Sequence, residues 1–255
     1  LTHVALAVDT DGVLTFEVHL PSAHYPEGPD RHAFHERLHD RLAALPSVES
    51  VGATSWLPVL GRYHTWGIRW PADDGTAEPG EWTSSDVRII AGDYFESMGI
   101  EIAQGAGLAD VDLEGEPVVW INRSIVDDLF GDTDPVGQIV SVNGTRRVMG
   151  VVEDVPYNTR GETSRKIYLP HAQYNDDRNW ALIQTVRARE GGGGLRSEIE
   201  SVVAELDGQL VVHRAATFES LVDAARAPDR FAASLMGAFA LLALALALLG
   251  TYGVL

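Results

Sequence analysis

The sequence predicts an α+β protein: a ferredoxin-like unit made of two β-α-β pieces, a mixed α/β subdomain inserted between them, and one apolar terminal helix. Three observations carry this. Residues 13–56 and 180–216 each read as strand, helix, strand; residues 57–179 hold strands and short helices of their own; and residues 231–255 contain 25 positions without a charged side chain.

Residues 13–20 (VLTFEVHL) alternate apolar and polar side chains, the period of a half-buried strand. The Pro/Gly-rich stretch PSAHYPEGPD follows and ends in Asp30, the expected helix N-cap. Phe34, Leu38, Leu42 and Leu45 then recur at helical spacing until Pro46 stops the helix. Residues 48–54 (VESVGAT) form the second strand. The second unit repeats the order: WALIQTV at 180–186, a helix over 195–206, and QLVVH at 209–213, with Gly191–Gly194 as a flexible joint.

Within the insert, residues 87–90 read as a short strand and AGDYFESMGI as a tight helical turn. PVVWI at 117–121 reads as a buried strand followed by a helix over 123–130. Residues 138–142 and 147–152 flank Asn143-Gly144, a strong hairpin signal. A last short strand is expected at 167–169. A short helix over 217–225 then precedes Pro228, which is expected to separate the body from the membrane helix.

The apolar run would reach about 37 Å as a helix, enough for a hydrocarbon core of about 30 Å. Apart from Tyr252, only Ser234 and Thr251 carry hydroxyls there, and Gly237, Gly250 and Gly253 among Ala and Leu suit close helix–helix packing in lipid. Arg226 and Arg230 lie just before it and are offset by Asp223 and Asp229. With no Met at position 1 and no polar flank after the span, the sequence reads as part of a longer membrane protein.

Nineteen Lys+Arg against 37 Asp+Glu give a net charge of −18, the wrong sign for a nucleic-acid partner. The lack of cysteine excludes disulfides, a thiol nucleophile and thiolate metal sites. His35-Glu36-Arg37-Leu38-His39 matches H-E-x-x-H on a helix, where two histidines could hold zinc beside Glu36 as general base. His32 could add a third nitrogen one turn earlier. Against this, the motif borders a stripe committed to packing, and no third ligand of recognised spacing follows. Asp110, Asp112, Glu114 and Glu116 lack the glycine and closing glutamate of a calcium loop and read as a solvated face. Asn122 and Asn143 open glycosylation triplets, the second explained by its turn. Nothing here identifies a catalytic, cofactor-binding or metal residue.

Several stretches, in order, resemble MacB/FtsX-type ABC transporter permeases. They are Ala91–Ile100 (AGDYFESMGI), Phe34–Leu38 with Ala44–Val48, Leu57-Pro58, Val118–Asn122 with Phe130, Asp134–Gly137, Val148–Val152, Tyr168–Pro170 with Gln173, and Leu249–Leu255. Ala106 and Ser47 depart from the family pattern at local turns. The resemblance implies a MacB-like periplasmic core domain over 1–230 and, at 231–255, the start of an FtsX-like membrane domain. One helix would precede Leu1 and further helices would follow Leu255, with the core domain outside the inner membrane. It also implies ATP bound by a separate cytoplasmic ABC ATPase subunit, a second permease half, and room for a periplasmic adaptor. No cofactor is expected in this chain and no catalysis; its role would be mechanotransmission for export or extraction. The alternatives are a single-pass anchored extracytoplasmic binding or sensor domain, and a membrane-anchored zinc peptidase using His35, Glu36 and His39.

Overall fold

The structure is a computed structural model that describes residues 8–61, 64–73, 75, 78–112, 114–174, 182–189 and 194–252. In chain order its elements are β1 (Val13–Val18), α1 (Gly28–Ala43), β2 (Val48–Thr54), β3 (Thr65–Ile68), β4 (Thr83–Gly92), α2 (Tyr94–Ser97), β5 (Ile102–Gly105), β6 (Val118–Asn122) and α3 (Arg123–Ile125). They continue with β7 (Ile139–Ser141), β8 (Thr145–Val152), β9 (Lys166–Pro170), β10 (Ile183–Ala188), α4 (Leu195–Leu206), β11 (Val212–Thr217) and α5 (Phe218–Tyr252).

Strands β11, β1, β10 and β2 lie side by side, each antiparallel to its neighbour. This is the order that a split β-α-β pair adopts. Helices α1 and α4 cover one face. Phe34, Leu38 and Leu42 of α1 and Ile199, Val202 and Val203 of α4 pack on Phe16, Val18, Val51 and Val186 of the sheet. Each such side chain taken out of water contributes roughly 1.5–3 kcal/mol. Helix α1 starts earlier than expected, at Gly28, with Glu27 rather than Asp30 as its N-cap. Pro29 explains the shift, because its fixed φ and missing N–H suit the first turn, leaving Asp30 to face the positive helix end.

The insert does not sit apart. Its strand β4 pairs with the outer edge of β2 through Gly52–Gly92, Ala53–Ala91 and Thr54–Ile90. The sheet then continues β4-β9-β6-β8-β5, with β3 on β4 and β7 on β8, to make one 11-stranded sheet. Strand β4 is longer than residues 87–90 because Thr83, Ser84 and Ser85 pair with Ile68, Gly67 and Trp66 of β3. The hairpin at Asn143-Gly144 forms with both φ values positive, 46° and 96°, as its tight turn requires. The helix expected over 123–130 is α-helical only to Ile125. It widens into a π turn over Val126–Phe130, closed where Gly131 N donates to the Val126 carbonyl at 3.1 Å.

In the second unit, α4 has the expected bounds. Residues 180 and 181 of the expected strand, and 191–193 of the joint, lie outside the described residues. Strand β11 begins at Val212 rather than 209, because Asp207 Oδ1 accepts from Gln209 N at 2.9 Å and holds that stretch in a turn.

The junction depends on close backbone approach. A Cβ on Gly52 would lie 2.4 Å from the Tyr94 Cα, since α2 crosses directly over β2. Gly52→Ala is therefore expected to lower unfolding free energy by about 3 kcal/mol, because backbone and not a movable side chain is in the way. The control is Gly208→Ala, whose nearest neighbour would be 3.8 Å away. It should stay within about 0.5 kcal/mol of the parent chain in denaturant titrations.

Candidate functional site

Helix α5 leaves the sheet without a break, starting at Phe218 where β11 ends at Thr217. Ser220 ties this corner by donating Oγ to the Thr217 carbonyl at 2.7 Å. The base of the helix is rooted in the protein: Phe218 and Val222 are buried with Val13 of β1 and with Tyr94, Phe95, Met98, Trp120 and Tyr168 of the insert. Thus the helix base, the first strand of the ferredoxin-like unit and the aromatic core of the insert share one packed cluster. The sequence carried a signal for these anchors, since residues 218 and 222 are one helical turn apart, although it did not show what they would meet.

The expected break at Pro228 is absent, and α5 runs through it as one helix of 35 residues. Proline removes one N–H and crowds the carbonyl four residues back, a cost an exposed, alanine-rich stretch can absorb by bending. Arg230 spans the weak point by donating to the Asp223 carbonyl at 3.3 Å and to its carboxylate at 3.1 Å. Arg160 of the insert reaches across to Asp229 at 3.3 Å. Asp223, Asp229 and Arg230 before the apolar run are thereby paired.

From Phe231 to Leu244 every residue of α5 is exposed. Phe231 and Met236 are 71% and 74% exposed, which a core helix would not tolerate. Among the described residues, Phe218–Leu244 is the stretch of helix long and apolar enough to cross a membrane. A cavity of about 790 Å³ lies beside the helix base; Leu221 of α5, Phe16 and Ile183 of the ferredoxin-like unit, and Trp66 and Ile89 of the insert line it.

The histidine motif has a different role from the zinc chemistry it suggested. His39 donates Nε2–H to Gln184 Oε1 at 2.8 Å, and the Gln184 amide donates to His35 Nδ1 at 3.3 Å. Gln184, buried on β10, thus pins both rings against the sheet. Glu36 points outward and pairs with His32 at 3.2 Å, away from the position a general base would need. His171, after β9, stacks edge-on to His35 with centroids 5.3 Å apart. Among the described residues no group of three His, Cys, Asp or Glu side chains could hold a metal ion. Gln184 and His171 were invisible as partners in the sequence because each lies more than 130 positions from the motif.

A family profile for the MacB-like periplasmic core domain matches residues 10–223. The chain belongs to that family. As a member of the MacB-like periplasmic core domain family it is part of an ABC-type transporter permease, which is not a known enzyme class. The apolar helix at its end fits an inner-membrane protein with the core domain outside. A curated relative, macrolide export ATP-binding/permease protein MacB 2 of Aeromonas hydrophila, is 27% identical over 115 residues, 43% of this chain and 18% of that protein. The periplasmic region of MacB from Actinobacillus actinomycetemcomitans superposes with a TM-score of 0.54 at 16% identity, covering 86% of this chain and 94% of that one. The extracellular domain of the noncanonic ABC-type transporter YknZ from Gram-positive bacteria gives 0.50 at 19% identity, covering 79% and 100%. At these identities the two structures show a shared fold.

The buried histidines of this MacB-like domain should make it acid-sensitive. Burial, as the leading cause, lowers the pKa of His39 and drives that of His35 well down. Unfolded histidines titrate near 6.5, so below that pH the unfolded chain binds protons that the folded chain refuses. Stability is then expected to fall as pH drops below about 6.5, by at most about 1.4 kcal/mol per unit for each such histidine. Urea titrations between pH 5.0 and 7.5 should show this slope. His35→Gln, which keeps an acceptor for Gln184, should lower stability at pH 7.5 yet flatten the slope by about one proton.

Proposed function

We propose that this chain is the extracytoplasmic core and one membrane helix of an ABC transporter permease that works by mechanotransmission. ATP hydrolysis on a separate cytoplasmic nucleotide-binding subunit moves the membrane helices, and the domain outside rearranges to export or extract a substrate at the cell envelope. A second permease half would complete the unit. The chemistry stays on the ATPase; this chain contributes a mechanical path.

The observation that supports the reading most is the packing of Phe218 and Val222 into the core that also holds Tyr94, Trp120 and Tyr168. A close-packed interior transmits displacement instead of absorbing it. Motion of a membrane helix that continues unbroken into that core would reach both parts of the sheet. The adjoining cavity supplies room for the two units to shift, because a filled interface would resist the change.

The test is made on the full-length permease reconstituted in nanodiscs with its ATPase. Four glycines inserted after Pro228 would turn the stalk into a soft joint, since each glycine weakens helix by about 1 kcal/mol. The domain should still fold and the ATPase should still bind, but substrate-dependent change in ATP turnover should vanish. Normal coupling in that variant, or failure of the parent protein to copurify with an ATPase, would sink the proposal.

A further inference from the structure

The cavity beside the helix base has an apolar wall and a charged rim. Leu60, Trp66, Ile183 and Leu221 line it and are only half-buried, so each still presents apolar surface. Its volume of about 790 Å³ falls within the range of small-ligand sites, about 300–1,000 Å³. Glu17 of β1 and Arg214 of β11 bring charge to the lining.

Arg214 reaches this cavity through a distortion of its strand. Val212 and Ala215 both pack on the cluster beneath α1 and α4, although residues three apart on a regular strand face opposite ways. The pairing with β1 explains it: Thr15 lies opposite Ala216 and Glu17 opposite His213, so β11 carries one extra residue. Arg214 absorbs that residue with a φ of 51°, in the left-handed region that glycine occupies at no cost. The bulge thereby puts His213 and Arg214 on the cavity side together. His213 stacks on His19, and Arg214 donates to Glu17. A strained non-glycine backbone persists where the surrounding fold enforces it, and such positions cluster at ligand sites.

The hydrogen bonds at the rim decide which ligand fits. Both Glu17 oxygens are engaged, Oε1 by Arg214 at 3.1 Å and Oε2 by His19 at 3.0 Å. A cationic ligand would therefore find this carboxylate taken, and its side chain is only 14% exposed. Arg214 gives Glu17 one N–H, and its side chain is 76% exposed, which leaves guanidinium donors for an oxyanion. A wholly apolar ligand would make no use of them. A molecule with an apolar chain and an anionic head uses both wall and rim. Leu221 stands ten residues before the uncharged run begins at Phe231, about 15 Å along α5, so a membrane surface is the nearest source of such molecules.

We propose that this cavity binds an anionic single-chain amphiphile, with its chain among Leu60, Trp66, Ile183 and Leu221 and its carboxylate or phosphate on Arg214. The binding does not depend on the coupling reading above, and a loss of coupling in the glycine-insertion variant would leave it intact.

The experiment is photo-crosslinking on the full-length permease in nanodiscs, with labelled peptides mapped by mass spectrometry. One arm uses palmitate carrying a diazirine on its chain, the other lysophosphatidylglycerol with the same chain; neutral monoacylglycerol with that chain is the control. Saturable labelling of the peptides holding Leu60 and Trp66 is expected from an anionic probe, and the arm that responds separates carboxylate from phosphate. Arg214→Gly suits the local φ and should stay folded, yet require about tenfold more anionic probe, the loss expected for a charged hydrogen bond. The neutral probe should be indifferent to that change. Leu60→Trp, which fills the cavity, should abolish labelling; if it fails to fold, Arg214→Gly decides alone. No saturable labelling at these peptides, equal labelling by the neutral probe, or labelling unchanged in Arg214→Gly overturns the proposal.

Discussion

The pairing of Thr54 with Ile183 is the constraint on which the architecture depends. It joins the end of β2 to the start of β10, so the whole insert is a very long loop of one antiparallel hairpin. Both ends of the insert therefore emerge at one place, and the ferredoxin-like unit closes as if they were directly connected. Loop-closure entropy rises only slowly with length, which makes such an insertion tolerable. What remains is the outer edge of β2, a row of unpaired backbone groups that would invite association. Strand β4 covers it. Gly52 pairs with Gly92 there, and because Gly52 carries no side chain the backbone of α2 can lie directly over the junction.

The insert gains its rigidity from a buried polar network beneath the aromatic cluster. Arg88 and Lys166 are each 1% exposed and lie on neighbouring strands with Asp86. Lys166 donates to the Val155 carbonyl and, at 3.1 Å, to Ser164 Oγ; burial lowers its pKa to about 8. Such a network contributes less to net stability than its strong bonds suggest, because desolvation offsets the attraction. Its effect is on geometry: Arg88 and Asp86 pair within β4, and a slip of β9 against it would take the buried Lys166 ammonium away from Asp86, the nearby carboxylate that favours its charged form. The sheet is thus held in one register near the helix base.

Much of this was legible in local pattern. The alternation in VLTFEVHL, the Leu38–Leu42 stripe, the Asn143-Gly144 turn and the bounds of α4 all follow from short-range rules. Other features required partners distant in sequence. Thr83–Ser85 carry no strand signal and are extended only because β3 lies beside them. Pro228 argued for a break by local rules, yet Ala-rich neighbours and the Arg230–Asp223 contacts carry the helix past it. The histidine spacing matched a metal motif, while Gln184, a neutral residue on another strand, sets what the rings do. The cavity beside the helix base draws on residues from 15 to 221 and forms no contiguous motif at all.

The unbroken course of α5 has a mechanical corollary. From Phe218 to Pro228 is about 15 Å of helix. Because Phe218 and Val222 clamp its buried end in the core, a sideways load on the helix beyond the proline reaches the domain as a bending moment that grows with the distance at which it is applied.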